Sequence, residues 1–276
     1  MTAADPLCAE ISRSRREPLA GTAAHAEVVL AVEERGAWAP KAIRSRGLDA
    51  IRSVLDSWIK NLGARLQLIR RPTRCEGPRR VYVCTPGVNA TLHAFELEDD
   101  RFESFDLMAA LNEAPPSDPV HLVCVHGKRD RCCALEGGAY FRARDTSPQI
   151  WMTSHLGGHR FAATTLTLPS GLCHGHLNAE QAALPFTELP AAKLRGRVCY
   201  TTPVQAAEAS LLLSRPNQTF ALKDVHEVSA TDMRVHFQSG DASFEVTLHK
   251  VVHAPQVLSC GDVAKTSASW QVEARS

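Results

Sequence analysis

The chain has 276 residues, of which 44% are hydrophobic and 22% are charged. This composition is typical of a globular protein with a sizeable core and excludes a disordered or fibrous chain. The 31 Lys and Arg residues nearly balance the 30 Asp and Glu residues. The overall charge therefore favours neither nucleic acid nor a membrane surface as a partner.

Hydropathy and cysteine usage indicate the cellular setting. No apolar run in the sequence reaches the length of a membrane-spanning helix, and the first residues lack the apolar segment of a secretory signal. We therefore expect a cytoplasmic protein. Nine cysteines in that compartment indicate reduced thiols or metal ligands rather than a disulfide framework.

Residues 1–115 are predicted to form an N-terminal α/β region. The amphipathic helix of this region is predicted from apolar residues spaced three and four apart between positions 51 and 59. In chain order we predict a strand at 28–33, that helix at 48–62, strands at 65–70, 80–84 and 91–97, and a short helix at 105–111.

Residues 116–199 are predicted to form a thioredoxin-like domain. Its predicted elements are a strand at 120–125, a helix at 132–143, a strand at 149–153, a hairpin of 161–168 and 172–176, and a helix at 180–189. This β-α-β unit followed by β-β-α has the element order of a thioredoxin-like fold, which mixes parallel and antiparallel strands. Residues 200–276 are predicted to form a helix at 202–214 and then a β-rich C-terminal region. The expected fold class is α/β, a thioredoxin-like mixed sheet flanked by helices.

Two cysteines and two histidines follow predicted strands of the middle domain. Cys124 ends the first strand, and Cys133 lies nine residues later at the start of the next helix, so the loop between them allows both thiols to face one point. His155 and His159 come four residues apart, just after the next strand. Sheets of α/β proteins usually place their sites at the carboxyl ends of strands. We therefore expect these four side chains to form one site.

Glycines and basic residues accompany these candidate ligands. The accompanying residues are Gly127, Arg129, Gly157, Gly158 and Arg160, together with Lys128 and Arg131. The glycines disfavour a regular helix and allow backbone N–H groups to approach sulfur atoms closely. The basic residues supply positive charge, which favours thiolates over thiols.

The two central stretches resemble a known family. CVHGKRDRCCA at 124–134 and SHLGGHRFAATTLTLPSG at 154–171 closely resemble the sucrase/ferredoxin-like family, whose members look like thioredoxin-like ferredoxins. The resemblance covers most of the chain, because it extends to EPLAGTA at 17–23, IRR at 69–71, RGR at 195–197 and QAAE at 205–208.

The resemblance implies a 2Fe-2S cluster ligated by Cys124, Cys133, His155 and His159. The two histidines stand where ordinary thioredoxin-like ferredoxins have a second Cys-x3-Cys pair. Adjacent side chains usually point apart, so only one of Cys132 and Cys133 should be a ligand. Cys133 fits the family spacing better, which leaves Cys132 as a thiol beside the site. The implied function is one-electron transfer with a redox partner protein, as a carrier rather than a catalyst.

Other functions remain open from the residues alone. The same four side chains are a Cys2His2 set that zinc also uses, which would make the protein a metal-stabilised binding module without a redox role. Alternatively, Cys124 or the Cys132-Cys133 pair is the redox thiol of an oxidoreductase, although no Cys-x-x-Cys motif is present. The simplest alternative is four unrelated core or loop residues.

Three further features are interpreted as structural. Cys75 and Cys84 repeat the nine-residue offset, but no His-x3-His follows, and we interpret the repeat as coincidence. His174 and His176 are interpreted as ordinary hairpin residues, and the acidic run at 98–100 as a solvated turn. Glycoside hydrolysis normally requires two placed carboxylates. Because the sequence marks out no such pair, we do not expect glycosidase activity.

Overall fold

The computed structural model describes residues 6–72, 76–144 and 147–273. Within these ranges the strands form two sheets, one of nine strands and one of four. The expected α/β class with a separate β-rich C-terminal region is therefore confirmed. Cys75, which belongs to the repeated nine-residue offset, lies outside the described residues.

The N-terminal part begins with a helix that the sequence patterns did not predict, α1 (Cys8–Ser14). Its other elements are β1 (Val28–Glu33), α2 (Arg52–Leu62), β2 (Ala64–Arg70), β3 (Arg79–Thr85), β4 (Thr91–Leu97) and α3 (Leu107–Glu113). The four predicted strands are confirmed. Helix α2 ends at Gly63, whose φ of 59° is the left-handed conformation that closes helices. Helix α3 begins at Asp106, whose carboxylate accepts from the N–H of Ala109.

The middle part contains β5 (Val120–Cys124), α4 (Gly138–Ala143), β6 (Ile150–Thr153), β7 (Thr165–Leu168), β8 (Leu172–His174), α5 (Ala179–Ala182) and β9 (Leu194–Arg197). Two predicted helices differ from the observed ones. The helix predicted at 132–143 is a π-helical turn at Cys133–Gly137 followed by α4. The helix predicted at 180–189 ends at Ala182, ahead of Pro185, which lacks the N–H that a helix would use.

The N-terminal and middle parts share one topology. Strand β1 pairs in parallel with β2 and antiparallel with β3, which pairs with β4. Strand β5 likewise pairs in parallel with β6 and antiparallel with β7, which pairs with β8. The order expected for the middle domain is therefore present twice. The two copies join through antiparallel pairing of β2 with β6, the equivalent strand of each copy, so an approximate two-fold axis relates them.

The C-terminal part contains α6 (Thr202–Ser214) and an antiparallel sheet of β10 (Ala221–Glu227), β11 (Asp232–Ser239), β12 (Ala242–Gln256) and β13 (Lys265–Val272). Helix α6 packs between β9 and this sheet. Its Val204 and Leu211 share an apolar cluster with Phe220 and Phe237. None of the helices in the described ranges has the length and apolar surface that a membrane crossing would require.

Candidate metal centre

The parallel strands β5 and β6 end at the same edge of the large sheet. Cys124 is the last residue of β5 and lies opposite Thr153, the last residue of β6. Buried Ser154 fixes the turn that follows, because its N–H donates to the Leu68 carbonyl and its hydroxyl accepts from the Leu68 N–H. Leu68 belongs to β2. The N-terminal part of the chain therefore positions the turn that carries His155.

The π-helical turn brings Cys133 to this edge. Gly137, the last residue of the turn, packs directly against the carbonyl group of Cys124. The sulfur atoms of Cys124 and Cys133 and one ring nitrogen of His155 lie within 4.8 Å of one another. The Cys133 Sγ is 3.7 Å from the His155 Nδ1. Three of the four expected ligands thus meet at one point, with both thiols buried and His155 half-buried.

His159 lies beside this group of three. Its ring centroid is 5.1 Å from that of His155, and its Nε2 is 3.5 Å from Oδ2 of Asp130. Its Nδ1 is buried and has no hydrogen-bond partner among the described residues. Such unpaired buried atoms are uncommon, whereas metal-ligating histidines typically direct their other ring nitrogen to a carboxylate or carbonyl. His159 therefore has the arrangement expected of a ligand that binds through Nδ1.

Hydrogen bonds favour one thiolate within the group. Donation from Cys133, and further donation from His155 and the N–H of His126, hold the pKa of Cys124 well below its usual value, although burial opposes the shift. The bond to Cys124 and burial both raise the pKa of Cys133, because a second buried thiolate beside the first is unfavourable. A bound cation would remove that penalty, since metals bind the deprotonated form of cysteine.

The loop between the two histidines has the conformation that its glycines predict. Gly157 and Gly158 have φ values of 88° and 66°, a region that favours glycine. The N–H that donates to the Cys124 sulfur belongs to His126, not to Gly127. His126 is a residue that sequence reasoning missed, and its Nδ1 also accepts from the N–H of His155 at 3.3 Å.

The basic residues around the site differ in what their charge can do. Arg160 forms an ion pair with Glu17 at 2.7 Å and lies over the ring of Phe161. Part of its charge is therefore compensated by Glu17. Lys128, Arg129 and Arg131 are exposed on the loop after β5. These three residues are named the basic loop below.

Cys132 points away from Cys133, into a second group of thiols. Its Sγ lies 3.4 Å from the Sγ of Cys8 and 3.4 Å from that of Cys260, and those two are 3.6 Å apart. A carboxylate oxygen of Asp130 belongs to the same group. Sequence reasoning missed this group because Cys8 and Cys260 lie 124 and 128 residues from Cys132 along the chain. The only signal was the Cys132-Cys133 adjacency, which leaves one thiol facing away from the candidate ligands.

Three outer segments that carry the family resemblance, at 17–23, 195–197 and 205–208, meet beside the loop between His155 and His159, which is named the histidine loop below. Buried Arg195 donates to the carbonyl of Gly157 at 2.9 Å and to the hydroxyl and carbonyl oxygens of Thr22. The side chain of Gln205 exchanges two hydrogen bonds, each 3.1 Å long, with the backbone of Ala23. These segments therefore support the loop that lies between the two histidines.

Comparison with known protein families gives a match that includes this site. The model for sucrase/ferredoxin-like proteins matches residues 19–190, more than half of the chain, and the match includes all four expected ligands. Cys8 and Cys260 lie outside the matched residues. Neither a curated protein nor a solved structure matches the chain. This chain belongs to the sucrase/ferredoxin-like family.

Proposed function

We propose that this protein is an electron carrier with a 2Fe-2S cluster ligated by Cys124, Cys133, His155 and His159. The observation that carries the proposal is the convergence of two buried thiols and the His155 ring at one point, beside the unpaired Nδ1 of His159. Thiolates and imidazoles are the ligand types of such clusters. When bound, the cluster supplies reversible one-electron transfer.

The protein's own groups hold and tune the ligands. Asp130 faces Nε2 of His159 and orients that ring, and the N–H of His126 donates to the Cys124 sulfur. Such hydrogen bonds are among the factors that set reduction potentials. Two thiolates and two neutral imidazoles also carry less negative charge than four thiolates, so an electron is accepted more easily. We expect a potential well above the roughly −400 mV of plant-type ferredoxins.

The partner is proposed to be a redox protein with an acidic surface. Half-buried His155 gives the site an edge near solvent, and the basic loop is exposed beside it. Opposite charges steer such encounters, so electron exchange should slow as ionic strength rises. A cytoplasmic location belongs to the same proposal, because eight described cysteines are free thiols, the state that a reducing compartment maintains.

The burial of the thiols weighs against the oxidoreductase alternative. Cys124 and Cys133 are 1% and 0% exposed, whereas thiol–disulfide exchange needs an accessible thiolate.

Glycoside hydrolysis is not part of the proposal either, because it requires a pair of placed carboxylates. In this region Asp130 is engaged with backbone N–H groups and Glu17 with Arg160.

The test is metal analysis of anaerobically purified protein together with its visible spectrum. We expect absorption between roughly 350 and 600 nm, with about two irons and two sulfides per chain. Pulsed EPR of the reduced protein should show coupling to imidazole nitrogen. His155→Ala and His159→Ala should each lower iron content and weaken that coupling, and the double variant should abolish it, whereas His25→Ala, at an exposed position, should change neither.

Two outcomes would contradict the proposal. A colourless protein with zinc bound by two sulfurs and two nitrogens would support the metal-stabilised binding module. Full iron content in both histidine variants, with the nitrogen coupling retained, would remove the histidines from the ligand set.

A further inference from the structure

The second thiol group joins three distant segments of the chain. Cys8 lies in α1, Cys132 precedes the π-helical turn, and Cys260 lies in the loop between β12 and β13. Cys8 and Cys132 are fully buried, and Cys260 is half-buried. The three thiols are in mutual contact and have no role in the cluster site proposed above, whereas the carboxylate beside them, Asp130, also faces His159 of that site.

We propose that Cys8, Cys132, Cys260 and Asp130 form a second metal site, for Zn²⁺. Structural zinc sites have four ligands in a tetrahedron and are rich in thiolates. Zn–S bonds of about 2.3 Å at the tetrahedral angle place sulfur ligands about 3.8 Å apart. The three Sγ–Sγ distances here are 3.4, 3.4 and 3.6 Å. The thiols therefore need to separate by only a few tenths of an ångström to bind the ion.

Asp130 is placed to supply the fourth ligand. Its Oδ1 accepts from the N–H of Cys132 at 2.8 Å and from the thiol of Cys8 at 3.9 Å. Because Cys8 loses its proton when it binds an ion, the second lone pair of Oδ1 is then free for the ion. Its Oδ2 accepts from the N–H of Cys260 and the hydroxyl of Ser259. Burial alone would raise the pKa of Asp130, but the N–H groups of Cys260 and Cys132 lower it. The group is thus a carboxylate held in one orientation.

Backbone N–H groups prepare the sulfur atoms to be thiolates. The N–H of Ala9 donates to the sulfur of Cys132, and the N–H of Cys8 donates to that of Cys260. Hydrogen bonds of this kind favour the charged form and orient metal ligands.

Other contacts hold the three segments together without the ion. Arg13 of α1 pairs with Glu136 of the π-helical turn at 2.5 Å, and Arg15 donates to the carbonyl of Pro255 at 3.3 Å. The site is therefore largely formed by the fold. A bound ion would fasten α1 and the β12–β13 loop to the loop that carries Cys133.

The three sulfur atoms are arranged as separate thiols and not as a disulfide. The shortest Sγ–Sγ distance is 3.4 Å, compared with about 2.05 Å in a disulfide. A disulfide between two of the three thiols would leave the third unpaired, whereas one tetrahedral ion uses all three together with Asp130.

Zinc X-ray absorption of the whole, cluster-loaded protein is the direct test. The protein would be produced with Zn²⁺ in the medium and purified anaerobically without chelator or a metal-affinity step. We expect about one zinc per chain, with three sulfurs at about 2.3 Å and one oxygen at about 2.0 to 2.2 Å. This result is independent of iron content, so it separates the second site from the cluster proposal.

Cysteine variants then locate the ion. Cys8→Ser and Cys260→Ser should each lose most of the zinc and keep the iron, whereas Cys124→Ser should lose iron and keep zinc. Cys199→Ser, a half-buried thiol outside both groups, should keep both metals. The proposal is overturned by protein without zinc, by zinc bound to two sulfurs and two nitrogens, or by a chain two mass units lighter from an oxidised pair. If the variants fail to fold, the number of sulfur ligands that X-ray absorption finds around zinc in the wild-type protein decides by itself.

Discussion

Gly137 is in direct contact with the backbone of Cys124, and this contact keeps the two candidate cysteine ligands close together. The π-helical turn packs on the end of β5 so closely that a Cβ at Gly137 would overlap the carbonyl oxygen of Cys124. At the next residue, Gly138, a Cβ would meet only the end of the flexible Arg142 side chain, at 3.2 Å. A methyl group added at position 137 should therefore push Cys133 away from Cys124, whereas one added at position 138 should not.

We accordingly predict that Gly137→Ala lowers both cluster content and stability. Overpacking of this kind costs about 1 to 3 kcal/mol, and denaturant unfolding together with iron per chain would measure both effects. Gly138→Ala is the matched control, because Gly138 has a helical φ of −65° and alanine is favoured over glycine in helices. Equal iron content in the two variants would contradict the packing argument.

The candidate ligand His159 leads to a prediction about pH. Oxidation increases positive charge at the iron and so lowers the pKa of a ligand imidazole N–H. Above that pKa the oxidised protein loses a proton, which stabilises the oxidised state. The reduction potential should therefore fall with rising pH, by up to about 59 mV per unit, in voltammetry between about pH 6 and 10. His159→Cys should flatten the slope, and a constant wild-type potential would refute the prediction.

Among the elements, β9 links the histidine loop to the rest of the molecule. Its Arg195 is 1% exposed and connects Gly157 to Thr22, and its Arg197 pairs with buried Glu208 of α6 at 2.7 Å. The planar guanidinium can serve several acceptors in fixed directions, which the ammonium group of lysine does not reproduce. The loop between His155 and His159 therefore depends on β9, which lies outside the two central stretches at 124–134 and 154–171.

Arg195→Lys should destabilise the protein by about 2 kcal/mol or more, because buried carbonyl groups lose their donors. Urea unfolding would measure the loss, and iron should be released at a lower urea concentration than in the wild type. Arg142→Lys, at an exposed position of α4, should leave both midpoints unchanged. A midpoint for Arg195→Lys equal to that of the control would show that the loop does not depend on β9.

At the scale of the whole molecule, buried histidines make the fold sensitive to acid. His121 in β5 and His174 in β8 are 0% and 4% exposed. Burial lowers the pKa of His174 to about 4 and that of His121 well below its usual value. Unfolded histidine titrates near 6.5, so between these pH values the unfolded chain binds more protons than the native one. Stability should therefore fall as the pH is lowered from about 6.5 to 4.

For His174 alone the loss across this range should reach about 3 kcal/mol. The measurement is the free energy of unfolding by urea at a series of pH values. His174→Leu should flatten the dependence whatever its absolute stability, whereas His25→Leu, at an exposed position, should preserve it. An unchanged slope in His174→Leu would show that His174 is not buried neutral.

The sequence predicted the local elements well, and of its four candidate ligands the structure brings Cys124, Cys133 and His155 together. Strand β5 lies in the mostly apolar run VHLVCV, which a polar loop follows at His126, and β6 ends shortly before His155, so local patterning locates both strand ends. The π-helical turn was not predicted, because its shape depends on the close contact between Gly137 and Cys124. Helix α1 was not predicted either, since its burial depends on the distant helical turn at His159–Phe161.

By itself, the sequence determined the α/β class, the order of the elements and the positions of the Cys and His candidates, because hydrophobic periodicity and turn residues act over short distances. Only the tertiary structure decided how the two similar units pair through β2 and β6. It alone also decided that Cys8 and Cys260 meet Cys132. Contacts between residues more than a hundred positions apart depend on the packing of the whole chain. No regular spacing in the sequence therefore reveals them.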